Sequence, residues 1–201
     1  PPRTSYRVSD ALRRGERTRC VIGSERRSRR RRCSQAAQAL LDYFKTNKAK
    51  KIIERYGYMI HASFIEALHE VLRAVRGATD EGFVVGLRIS AGEREDAGLT
   101  VDEALAACVA LEGDLDYVHV TTGSSATVGG AVHIAPPMAY APGYVAPDAG
   151  AFRSALKVPV FVAGRINQPQ EAEAILAAGR ADVCGMTRAL IADPEMPVKA
   201  A

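Results

Sequence analysis

The chain has 201 residues, 47% of them hydrophobic and 25% charged, enough apolar material to bury one core and usually a single domain. The net charge of +4 hides an asymmetry: residues 1–80 carry 19 basic and 8 acidic side chains, and residues 81–201 carry 8 and 15, giving +11 and −7. The four cysteines, Cys20, Cys33, Cys108 and Cys184, never form CxxC, so neither zinc nor an iron–sulfur cluster has a sequence signature and no metal ligand is assigned. No apolar run reaches membrane-spanning length and residues 1–33 lack the apolar core of a secretory signal, so a reducing cytoplasm is the expected location.

In chain order, residues 1–34 are the least protein-like part, ending in ERRSRRRRC at Glu25 to Cys33. Such a run can attract nucleic acid or acidic lipid, but it lacks aromatic interleaving, zinc-finger spacing and a helix-turn-helix. It reads as a disordered basic tail, or as the product of an altered reading frame. Residues 35–61 read as an uncertain helical region. Ala39, Leu40, Tyr43 and Phe44 form one apolar stripe, KAKKIIERYGYMI suggests a second helix, and Tyr56, Tyr58 and His61 read as packing groups.

From residue 62 the pattern sharpens. Ser63-Phe-Ile-Glu66 predicts a capping box, followed by a helical stripe of Phe64, Ile65, Leu68, Val71, Leu72 and Val75 that ends at Gly77. Phe83 to Ile89, FVVGLRI, is a candidate strand with an arginine near its carboxyl end. Arg88 there must either be ion-paired or face a pocket, because an unpaired buried guanidinium is costly. A polar loop to Leu99 leads to a second capping box, Thr100-Val-Asp-Glu103, a helix to Leu111, and a strand at Asp116 to Val120. His119 on that strand reads first as a hydrogen-bonded structural histidine, with contact to a ligand in a pocket as the alternative. Thr121 to Pro147 reads as one long Gly-, Ser- and Pro-rich loop containing HIAPPMAYAPGY, suited to covering a ligand or making a subunit contact. A short helix at Asp148 to Leu156 follows.

Val158 to Pro194 packs two βα steps into one stretch. The first has a strand to Ala163, the break Gly164-Arg165-Ile166-Asn167, Asn167 as the helix cap, and a helix from Gln168 to Ala178 stopped by Gly179. The second has a strand at Ala181 to Gly185 that delivers Gly185-Met186-Thr187-Arg188. Glycine turns, helix amino ends and guanidiniums together make a phosphate seat if both loops open at one end of one sheet. Spacing alone leaves open the plainer reading of tight turns with solvated arginines. The four strands predict a parallel α/β fold, and the absence of GxGxxG argues against a Rossmann site.

The motifs VGLRIS at Val85 to Ser90, YVHVTTGS at Tyr117 to Ser124, VPVFVAGRI at Val158 to Ile166 and ADVCGMTRALIADPEMP at Ala181 to Pro197 stand in the order of strands five to eight of a flavin-binding barrel. From Phe64 onward the chain resembles the carboxyl-terminal half of the Old Yellow Enzyme family of FMN-dependent oxidoreductases, in the branch of dimethylamine and trimethylamine dehydrogenases, dienoyl-CoA reductases and N-demethylases. The resemblance implies a partial (β/α)8 TIM barrel over residues 62–201, FMN as cofactor and NADH or NADPH as electron donor, with hydride passing through flavin N5 to a small-molecule substrate. By motif, Arg88 resembles the arginine beside the N1/O2 edge of the flavin. Gly164 and Arg165, with Gly185, Thr187 and Arg188, resemble the two loops that hold the FMN phosphate. The family's His-x-x-His or His-x-x-Asn after strand four has no counterpart, His61 included, so no catalytic residue is assigned. Half a barrel further implies a homo-oligomer or a complementing half-barrel chain. A noncatalytic assembly module, an incomplete gene product and a basic nucleic-acid-binding protein are the alternative readings.

Overall fold

The computed structural model describes residues 62–80, 82–96 and 98–200, with side chains from Ile65 onward. The expectations for residues 1–61, including the arginine run, Cys20, Cys33 and the group Tyr56, Tyr58 and His61, lie outside the described residues.

Described elements alternate as α1 (Ala62–Gly77), β1 (Gly86–Ser90), α2 (Val101–Leu111), β2 (Tyr117–Thr121), α3 (Val128–Ile134), α4 (Ala146–Ala155), β3 (Val160–Ala163), α5 (Pro169–Ala177), β4 (Val183–Gly185), α6 (Thr187–Ala192) and α7 (Met196–Lys199). The four strands form one parallel sheet in the order β1-β2-β3-β4. Arg88 pairs in register with His119, His119 with Phe161, and Phe161 with Val183. Each of the first three strands is followed by a crossover segment to the next, as parallel pairing requires.

Alternation along the strands separates two faces. Val118, Val120, Val160 and Val162 are buried against the helices, where Ala104, Cys108, Leu111, Ala149 and Phe152 complete the core. Burial of a side chain such as Phe152 contributes about 2–3 kcal/mol. Arg88, His119 and Phe161 occupy the opposite face, with Tyr117 stacked on Phe161 at a ring separation of 4.5 Å. No described element covers that face, and the outer edges of β1 and β4 have no strand partner among the described residues.

The amino end of the sheet is closed by a repeated device. Asp116, just before β2, accepts from the Val85 N–H at 2.8 Å and pairs with Arg76 of α1 at 2.8 Å. Asp182, just before β4, accepts from the Val160 N–H at 2.9 Å and pairs with Arg153 of α4 at 3.1 Å. Each carboxylate thus satisfies a strand-entry amide and anchors the preceding helix.

Local chemistry accounts for most element boundaries and corrects some expectations. Thr100 caps α2 through the predicted capping box with Glu103. Helix α1 already includes Ser63, so its start lies upstream of the expected cap. At α5 the cap is Gln168, not Asn167. Pro169 fixes the first helical turn and keeps the residue before it extended, and the Glu171 carboxylate accepts from the N–H groups of both Asn167 and Gln168. Gly179 ends this stretch at φ +67°. The segment from Thr121 to Pro147 is not a single loop. Thr127 caps α3 by accepting from Gly130 N–H at 3.0 Å, and α4 already begins at Ala146 with a proline in its first turn. Strand β4 is only three residues long, Val183–Gly185, shorter than the expected Ala181 to Gly185.

Candidate cofactor site at the carboxyl ends of the strands

The carboxyl ends of all four strands surround a cavity of about 660 Å³. Arg88, Gly164, Arg165, Gly185, Thr187 and Arg188 all line it. Their convergence follows from parallel pairing: Ala163 and Gly185 are register partners, so the loops Gly164-Arg165 and Met186-Thr187-Arg188 leave adjacent strands side by side. Arg88 reaches the same cavity from the far strand β1, is exposed, and has no ion-pair partner among the described residues. Of the two expectations for Arg88, the pocket-facing one describes the molecule.

Glycine is required at position 164 by close approach. A Cβ there would lie 2.3 Å from Val145 Cγ2, and Val145 is fully buried. Gly185 is less constrained, since a Cβ would meet Ala163 Cβ at 3.3 Å. Arg165 is held at φ +52°, a left-handed conformation unfavourable for a residue with a Cβ. Its Nη1 donates to the Tyr140 carbonyl. Arg188 donates from Nη1 and Nη2 to the Pro136 carbonyl, both at 3.2 Å.

His119 stands beside the cavity without lining it. Its Nε2 is buried without a hydrogen-bond partner among the described residues and lies 3.8 Å from the position a Gly185 Cβ would take. Burial, with the Arg88 charge adding to it, holds its pKa below the ordinary value of 6.5, so the ring is neutral near pH 7.

The sequence reading missed part of the wall. Glu93 and Glu103 also line the cavity, and Glu103 is at the same time the capping partner of Thr100. His133 and Pro136 enter from the segment between β2 and β3. His133 and Tyr140 meet edge-on at 4.8 Å, and Tyr140 lies 5.4 Å from Tyr144. Met138 of the same segment is 87% exposed. Only the general signal of an over-long connection pointed to this segment.

The donor set suits a phosphate monoester: two guanidiniums, two adjacent backbone turns and a hydroxyl at Thr187, in a cavity of ordinary ligand size. Among the described residues no group of His, Cys, Asp and Glu could hold a metal ion, and no helix is long and apolar enough to cross a membrane.

Residues 36–201 match the model of the NADH:flavin oxidoreductase / NADH oxidase family. The chain belongs to that family. Among relatives, it is 34% identical over 168 residues to an N,N-dimethylglycine/sarcosine dehydrogenase of Chromohalobacter salexigens, covering 83% of this chain and 24% of that protein. It is 35% identical over 167 residues to a metal reductase of Desulforamulus reducens, covering 82% and 24%. Among solved structures, a 2-naphthoyl-CoA reductase in complex with 2-naphthoyl-CoA matches with a TM-score of 0.62 at 26% identity, over 80% of this chain and 24% of that one. Histamine dehydrogenase from Rhizobium sp. 4-9 shares the fold, with a TM-score of 0.61 at 19% identity over 78% and 21%. The chain of this NADH:flavin oxidoreductase family member therefore spans about a quarter of the length of these relatives, 24% in the first two. Its fold is a partial (β/α)8 barrel of the Old Yellow Enzyme type. The family consists of oxidoreductases acting on small molecules, with FMN and NAD(P)H as its general cofactors.

Proposed function

We propose that this chain supplies the phosphate-binding side of an FMN site in an NAD(P)H-dependent oxidoreductase. The observation that carries this reading is the convergence of Arg88, Gly164, Arg165, Gly185, Thr187 and Arg188 on one cavity at the carboxyl end of the sheet. That end is where barrel enzymes place their chemistry. Arg165 and Arg188, with the backbone turns at Gly164 and Gly185, would hold the phosphate. Arg88, on the opposite strand, would place positive charge against the ring edge where negative charge accumulates on reduction. His119, neutral and next to Arg88 in register, would leave that charge undivided. When bound, FMN would supply the redox chemistry, hydride transfer at N5 between NADH or NADPH and a small-molecule acceptor.

A titration of the purified chain with FMN, with riboflavin as the control lacking the phosphate, tests the site. FMN bound at least about tenfold more tightly supports it; equal or absent binding of the two overturns it.

A second reading concerns assembly. The uncovered sheet face carrying Tyr117, His119 and Phe161, with two strand edges free of described partners, favours completion of the barrel by a second copy or by a complementing half-barrel chain. Gel filtration with absorbance at flavin wavelengths separates a cofactor-retaining assembly from a noncatalytic one. A monomer that retains no flavin defeats both readings.

A further inference from the structure

The two arginines at the ends of β3 and β4 are already engaged, and by one segment. Arg188 forks onto the Pro136 carbonyl and Arg165 donates to the Tyr140 carbonyl. The bonding is mutual, because the Gly143 N–H donates to the Arg165 carbonyl at 3.1 Å. Arg165 is thus gripped by its side chain and by its backbone, which accounts for the survival of its left-handed φ of +52°. The segment is tied down at its ends too. Ala146 N–H donates to the Gly143 carbonyl at 2.8 Å, and the Tyr144 hydroxyl donates to the His133 carbonyl at 3.0 Å. Burial holds the Tyr144 phenol above its ordinary pKa, so it remains a donor across the neutral range.

We infer that residues 136–143 form a strap that presets Arg165 and Arg188 for an anion, so that strap closure and anion binding are coupled through these two guanidiniums. The inference rests on the phosphate-site reading above and adds a positioning element to it. A guanidinium has five N–H groups. Arg188 uses two on Pro136 and Arg165 uses one on Tyr140, which leaves three and four for a ligand. An anion therefore need not displace either carbonyl. The carbonyls remove rotamer freedom that both long side chains would otherwise lose on binding, and preorganisation of this kind raises affinity without a new contact. Coupling is reciprocal: whatever the closed strap adds to anion affinity, the anion adds to strap closure. A competition model, in which the anion pulls the guanidiniums off the carbonyls, predicts the opposite sign.

Hydrogen–deuterium exchange of the full chain, alone, with FMN and with riboflavin, reads the coupling directly. FMN is expected to slow exchange at Tyr140, Gly143 and their neighbours by about fivefold or more, and riboflavin is expected to leave it unchanged. Tyr144→Phe removes one strap anchor while keeping the ring. It is expected to weaken FMN binding about two- to tenfold, the worth of one hydrogen bond, without changing riboflavin binding. If FMN outbinds riboflavin but strap exchange is unchanged or faster, the strap inference fails and the phosphate site stands. If FMN and riboflavin bind alike, or neither binds, the phosphate site fails and the strap coupling falls with it.

Discussion

Arg88 and His119 are register partners on adjacent parallel strands, and both lie on the sheet face that no described helix covers. The pairing sets a cation beside an imidazole with a buried, unpartnered Nε2, and both burial and the cation oppose protonation of the ring.

A pH dependence follows. The folded pKa of His119 is depressed below 6.5, so the unfolded chain takes up this proton first. Stability therefore falls as the pH drops through the unfolded value toward the folded one, and this contribution is flat above it. Thermal unfolding followed between about pH 5 and 7 is expected to show a falling midpoint that His119→Phe flattens. Arg88→Met removes the cation and is expected to shrink the slope without abolishing it, because burial is the larger cause.

Arg188→Ala is expected to weaken FMN binding about 10- to 100-fold, the range for a charge-assisted bond, and to leave riboflavin binding nearly unchanged. Arg188→Lys keeps the charge but loses the fork on the Pro136 carbonyl, and should recover only part of the loss. Titration by flavin fluorescence checks both.

Gly164→Ala places a methyl 2.3 Å from a methyl of the fully buried Val145. Overpacking of this kind costs about 1–3 kcal/mol, so the urea midpoint should drop, whereas Gly77→Ala, where a Cβ meets nothing within 4 Å, should not show that loss.

Cys108 and Cys184 are protected thiols, pushed up by burial to about 12 and about 11. Iodoacetamide at neutral pH should modify neither in the native protein and both after unfolding, with peptide mass spectrometry reporting each site.

The elements that the sequence disclosed are those whose causes are local. Thr100 and Glu103 make their capping box across three residues, Gly179 ends a helical stretch by its own backbone freedom, and β-branched runs mark three of the strands. The motifs around Arg88, Gly164, Gly185 and Arg188 were legible too, because each is a short word at the end of a strand. Other features misled in isolation. Asn167 has the chemistry of a cap, but Pro169 decides where α5 begins, and glycines at positions 129 and 130 disguised α3 within what read as loop.

What the sequence by itself determined is therefore the kind of unit, a run of parallel βα steps with cationic loops at successive strand ends. Only the tertiary structure decided that those loops share one cavity, that Asp116 and Asp182 close the opposite end of the sheet, and that Arg165 and Arg188 rest on the carbonyls of Tyr140 and Pro136. The physical reason is range. Periodicity and capping act within a turn or two, whereas these bonds join residues 25 and 52 positions apart and exist only once the sheet has brought its strand ends together.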